Sequence, residues 1–222
     1  MPRASPTEPT PSGPRTIRDT LFGDTPLSEW GLSAGDMPPW SQFAAARAAL
    51  AKGDQAAALA ALGAVIDTPD LESRHYLVAW EALREMGVAV PATHAKQVLG
   101  VVVEVAVEKG VDLVAAYADG SARYYNYSGA GVVVDTPPPQ VRQSVANLIA
   151  AAVPVVQRIG PWDKPRPGAP TGDGVRLNFL TPSGLHFGQG SFDVLSGDPM
   201  GGPVIGAAFH LMQALMELGK GN

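Results

Sequence analysis

Apolar residues recur every three to four positions between Ser41 and Gly87, and beyond Leu99 the period falls to two. The first pattern predicts helices and the second predicts strands. Ser41 is placed to cap a first helix after Pro38, Pro39 and Trp40; Phe43, Ala46 and Leu50 share its inner face, and Gly53 closes it. Asp54 then starts a second helix, Gln55 to Ile66, whose Ala58, Leu62 and Val65 point inward. So short a connection makes the two an antiparallel hairpin. A third helix, residues 70–86, buries Leu71, Tyr76 or Leu77, Trp80 and Leu83, and ends at Gly87.

After a short helix within residues 91–97, Val101, Val103, Val105 and Val107 alternate with Val102, Glu104, Ala106 and Glu108 in the strongest strand signal of the chain. Lys109-Gly110 and Asp119-Gly120 turn the chain back twice, giving a three-strand meander through Tyr127. With two-residue turns, Val103 lies beside Ala116 and Arg123, and Glu104 beside Ala115 and Tyr124. Neither face is then purely apolar. Either helices cover parts of both faces, or the register slips by one residue, which exchanges the faces. A short strand at Val132 to Val134 precedes a long helix reaching Ile159, in which Val141, Val145, Ile149, Ala152 and Val156 form the stripe and Pro154 is expected to kink or split the helix.

Residues 160–174 read as loop, and Val175 to Thr181 with Leu185 to Gly188 read as a second hairpin. A three-residue loop, Pro182-Ser183-Gly184, pairs Phe179 with Phe187 and Leu180 with His186. Leu177, Phe179, Leu185 and Phe187 then face the core, while Arg176, Asn178 and His186 share the opposite face. One helical turn near Ser191 to Leu195 leads to a terminal helix with Pro203 in its first turn and Val204, Ala208, Leu211, Leu215 and Leu218 as its stripe, ending at Gly219. The fold class is therefore α+β: a tail (1–15), a helical region (16–90), and a domain (91–222) in which an antiparallel sheet packs with two long helices, mainly on one face.

The 222 residues carry 16 Lys and Arg against 21 Asp and Glu, so the net charge of -5 argues against a nucleic-acid footprint. No cysteine is present, which removes disulfides, thiolate nucleophiles and Cys-containing zinc sites. No apolar run is long enough to cross a bilayer, and the proline-rich start is not a signal peptide, so a cytoplasmic location without membrane partners is expected. Residues 1–15 offer too few apolar groups to order. Ile17, Leu21 and Phe22 form a short apolar face closed by Gly23, read as a strap laid over the core, with a partner-binding motif as the alternative.

Candidate chemistry is sparse. Glu72, Arg74, His75 and Glu81 are read as solvated charges with one hydrogen-bonded histidine. His75, His94, His186 and His210 form no close ligand pair, so no metal is expected. The pieces Gly129-Ala-Gly131 and Gly184 to Gly190 match neither a dinucleotide fingerprint nor a phosphate loop, so no cofactor is expected. Ser183 lacks the Gly-x-Ser-x-Gly setting of a nucleophile elbow, and no catalytic residue is assigned. The remaining constellation is Arg123, Tyr125, Tyr127, Arg176, Asn178 and His186. Aromatic and guanidinium groups on a sheet face hold a peptide, an acidic group or a stacked base. Its bland counterpart is a polar outer sheet face.

The run Ala46 to Leu62 resembles the junction of a tetratricopeptide-type hairpin, but no second copy follows, which excludes a solenoid. The order of strands and helices resembles the profilin-like arrangement of roadblock and longin domains, a resemblance that implies dimerising or docking modules. The stretches AAYADGSARYYNYSGAG, IGPWDKPRP and LTPSGLHFGQG resemble a group of bacterial proteins to which no activity is attached. The expected function is a non-enzymatic interaction or adaptor protein that binds a protein partner, or a second copy, through the sheet face or the helical region. The alternative is a small-molecule-binding protein or hydrolase with a cleft between the two regions, lined by His186, Arg176 and Asp198.

Overall fold

The computed structural model describes residues 16–32 and 35–220; the tail assigned to residues 1–15 lies outside them. A 3-10 turn, Arg18–Leu21, precedes three helices, α1 (Trp40–Ala51), α2 (Gln55–Asp67) and α3 (Ser73–Glu85), and the short α4 (Ala92–Ala95). Asp54 caps α2 as expected, its carboxylate accepting from the Ala57 amide at 3.0 Å, and Gly53 takes φ 74° to close α1. Strands β1 (Gly100–Val107), β2 (Gly110–Tyr117), β3 (Ala122–Tyr125) and β4 (Gly131–Val134) lead to α5 (Pro139–Arg158). Then follow β5 (Gly174–Thr181), β6 (Gly184–Ser191), α6 (Phe192–Gly197) and α7 (Gly201–Lys220). Pro154 is contained within α5, which runs on as one helix of 20 residues instead of splitting.

The sheet is antiparallel throughout, in the order β4-β3-β2-β1-β5-β6. Helices cover both faces, not mainly one. Val101, Val103, Val114, Ala116, Leu177 and Phe179 pack with the stripes of α5 and α7. On the other face, Leu99, Val102, Leu113, Ala115, Tyr117 and Leu180 pack with α1, α2 and α3, including the buried Trp80, and with Leu21 and Phe22. The segment ending at Gly23 is thus a strap held by Leu21 and Phe22, while Ile17 stays 41% exposed: Leu21 is fully buried, its carbonyl accepting from the Tyr117 hydroxyl at 2.6 Å.

Loop lengths explain how the faces sort. The turn between β2 and β3 is one residue longer than a two-residue turn. Ala116 pairs with Ala122, Tyr117 N–H reaches the Ser121 carbonyl at 3.0 Å, and Gly120 adopts φ 93° in the loop Ala118-Asp119-Gly120. This one-residue slip moves Arg123 beside Ala115 and Tyr124 beside Val114, so that Arg123 joins Glu104 on one face and leaves the face of Val103. The β5–β6 hairpin departs in the opposite sense. Thr181 pairs with Gly184 across the two-residue loop Pro182-Ser183, so Phe179 faces His186 and Leu180 faces Leu185. Gly184 supplies the positive φ of 118° as the first residue of β6, and the Ser183 amide and hydroxyl both hold the Ala95 carbonyl, at 3.2 and 2.5 Å, anchoring the tight loop to α4.

Candidate functional site

Glu104 carries the charge of β1 onto the face toward the helical layer and has no solvent exposure. Directly opposite on β5 stands Arg176, with Asn178 two residues further on the same face. The carboxylate accepts from Arg18 Nε at 2.5 Å and Nη2 at 3.2 Å, from Asn178 Nδ2 at 3.1 Å and from Arg176 Nη1 at 3.5 Å. Removing a carboxylate from water is costly, and only such a set of donors offsets it. The same guanidiniums tie down the covering loop, Arg18 donating to the Pro167 carbonyl at 2.9 Å and Arg176 to that of Gly168 at 2.5 Å. Arg166 completes the lacing. Its Nε meets Asp24 and its Nη2 meets Asp19, both at 2.7 Å, and its plane lies 4.1 Å from the Phe22 ring centroid. Burial pushes the Asp19 carboxyl up, but hydrogen bonds from Thr16 and Arg166 outweigh it and hold the pKa at about 2. Strap and loop 160–173 therefore form one cover fastened by ion pairs.

The sequence-derived constellation is divided by this architecture. Arg176 and Asn178 do meet, around Glu104, but they are buried under the cover. Arg123 shares their sheet face three strands away, 5% exposed, with its Nη2 on Asp135 at 2.8 Å and its guanidinium 5.4 Å from the Tyr117 ring. Tyr125 packs against the helical-layer core, whereas Tyr127 lies past the end of β3, 51% exposed, its amide bound by Asp112. His186 is fully buried on the opposite face beside Phe179. The expectation that Arg176, Asn178 and His186 share an open face is corrected on both counts: the shorter hairpin loop moves His186 to the other side, and the cover closes over Arg176 and Asn178.

An open cleft lies beside the cover. It holds about 330 Å³ between α3, the β5–β6 hairpin, the strap and the loop 160–173. Leu77, Leu180 and Leu185 give it an apolar floor, and Asp24, Glu81, Arg84, Lys164 and Arg166 bring charge to its walls. Arg84 is paired with Glu81 one turn earlier on α3 and donates to the Pro182 carbonyl at 2.5 Å, tying helix to hairpin. Burial raises the Glu81 pKa against the opposing pull of Arg84, and the charges of Glu85 and Asp24 raise it further. Trp162 stands at the margin with its ring edge-on to Phe187 at 5.0 Å. The residues expected to line a cleft do not line this one, and Arg176 borders a separate hollow with Ala169, Pro170 and Gln189. Asp198 caps α7, accepting from Met200 N–H at 2.8 Å and Gly201 N–H at 2.6 Å, while Arg176 and His186 lie elsewhere.

Two further groupings are structural. Ser183 Oγ sits 3.1 Å from His186 Nε2, but the hydroxyl is also held by Thr181 at 3.0 Å and by the Ala95 carbonyl, an arrangement that pins the hairpin. His75 is buried among Trp30, Trp40 and Phe43, 4.7 Å from the Trp40 centroid, and its Nδ1 has no hydrogen bond among the described residues. It is thus a packed ring, not the hydrogen-bonded residue expected. No group of three metal-binding side chains occurs among the described residues.

The signals for the cleft were weak in the sequence. The Glu81–Arg84 pair has the i, i+3 spacing of any solvated helix face, and Trp162, Lys164 and Arg166 lie in a loop whose course no periodicity encodes. Glu104, the charge interrupting the valines of β1, marks the buried cluster beneath the cover and not the cleft. Comparison with protein-family models, curated proteins and solved structures returns no match to the chain.

Proposed function

We propose that this protein binds a small molecule in the cleft between its helical layer and its sheet. The observation carrying this reading is the cleft itself: about 330 Å³ with an apolar floor and polar groups converging from four segments, at the small end of the range typical of ligand sites. The segments that wall it are fixed by the Arg84 and Arg166 contacts, so the site stands formed before a ligand arrives. Covering of both sheet faces supports this choice over docking on an open sheet. The test is a thermal-shift screen with a panel of small amines, carboxylates, nucleosides and sugars, repeated on Leu185→Trp, which fills the cleft from the half-buried edge of the hairpin. Stabilising compounds should lose their effect on the variant; compounds acting equally on both proteins overturn the reading.

A protein-partner reading is favoured by a different observation. Phe192, Val194 and Phe209 of α6 and α7 are 47%, 67% and 52% exposed, and large apolar side chains left in water are the kind of surface a partner covers. Changing all three to Ser should abolish self-association or capture of a partner if that reading holds.

A further inference from the structure

Resting on the cleft as a ligand site, we propose that it takes a small organic cation, an ammonium group carried on an apolar body. The cationic walls are largely spent on protein oxygens: Arg84 on Glu81 and the Pro182 carbonyl, Arg166 on Asp19 and Asp24, and the one Arg166 nitrogen without a partner among the described residues, Nη1, is shut off from solvent. The acidic walls are spent at one oxygen at most, Glu81 and Asp24 each giving one to its arginine. Glu81 Oε1, Asp24 Oδ1 and both oxygens of Asp163 have no hydrogen bond among the described residues, and they come from helix, strap and loop. An entering anion would meet these oxygens with Lys164 as the accessible uncommitted cation among the described lining residues, the free Arg166 Nη1 being buried, whereas an entering cation finds acceptors on several sides.

Trp162 supplies a seat. Although 38% exposed, its ring is fixed: the backbone N–H donates to the Leu185 carbonyl at 2.6 Å, Nε1 donates to the Pro165 carbonyl at 3.1 Å, and Phe187 abuts it. An aromatic face held this firmly in a loop is preorganised for a cation. The chain itself shows the mode, since Lys164 Nζ lies 5.4 Å from the Trp162 centroid and makes no hydrogen bond among the described residues. A ligand ammonium would displace Lys164 from the ring and place its apolar body on Leu180 and Leu185. Because Glu81 is easier to protonate than an ordinary glutamate, binding of a cation should weaken as pH falls through its titration.

The experiment titrates the full chain with three probes of one shape, 2-phenylethylamine, 2-phenylethanol and 3-phenylpropionate, followed by amide and indole NMR. The amine should bind at least tenfold more tightly than the other two and move the Trp162 indole resonance. Trp162→Leu should cost tenfold or more in its affinity. Lys164→Met, which alters only an exposed side chain, should tighten the amine several-fold by vacating the seat. Equal or tighter binding of the alcohol or the acid in the cleft overturns the cation while leaving the ligand site standing. Failure of the amine to perturb cleft resonances, or loss of its binding in Lys164→Met, overturns the proposal outright, and the broader screen with Leu185→Trp then judges the site.

Discussion

Glu104 is the residue on which the cover depends, because both arginines that bond its carboxylate also bond the backbone of the loop at Pro167 and Gly168. Removing it leaves two guanidiniums half-satisfied beneath the cover, and breaking a buried pair from one side costs about 3–5 kcal/mol. Glu104→Ala should show a loss of that order in urea titration, while Glu104→Gln, which keeps an acceptor, should lose less. Two histidines act through pH. Burial lowers the pKa of His75 and of His186 below the ordinary 6.5, so below that pH the unfolded chain takes up protons that the folded one refuses. By linkage, stability is full above about pH 6.5 and declines as pH falls toward the depressed folded values. Melting temperature should therefore drop between pH 7 and 5, and His186→Gln should flatten that drop.

At the scale of elements, helices were legible because caps and stripes are local: Asp54, Gly53 and the valines of α5 each act within one or two turns. Sheet register was less so. Asp119-Gly120 is legible as a turn, yet the turn's length depends on what Asp119 binds. Its carboxylate accepts from the Ser73 amide at 2.6 Å and the Ser121 amide at 2.8 Å, and its own amide donates to Ser73 Oγ at 3.1 Å. The loop is thus shaped by the N-terminus of α3, 46 residues away, and nothing near Asp119 in the chain announces it. The Pro182-Ser183 loop likewise takes its two-residue form while held by Ala95 of α4. Since Asp119 caps α3 in place of a residue of its own, Asp119→Ala should cost about 1–2 kcal/mol. Asp119→Asn should retain most of that, and both are measurable by chemical denaturation.

At the scale of the molecule, the sheet serves two cores, and the charges that looked like a surface cluster belong to the seam between one core and its cover. Parity along β5 puts Arg176 and Asn178 on one face, but Arg18, which shares Glu104 with them, lies in a short 3-10 turn and the covering loop has no repeat to read, so burial of the site is not legible in the sequence. That dependence makes the strap the decisive test. A chain starting at Thr16 keeps every strap contact described above and should melt close to the full-length protein. A chain starting at Thr25 loses Leu21 and Phe22, each worth about 1.5–3 kcal/mol when fully buried, and it also loses the Arg18 bonds to Glu104 and the Asp19 and Asp24 partners of Arg166. Its midpoint in urea should fall steeply. Amide exchange should quicken first in residues 160–173 and along β5, whose cover is gone, while the α5–α7 side stays protected. Uniform loss of protection over both faces would mean that the two cores unfold as one, and an unchanged midpoint would show that the strap fastens nothing.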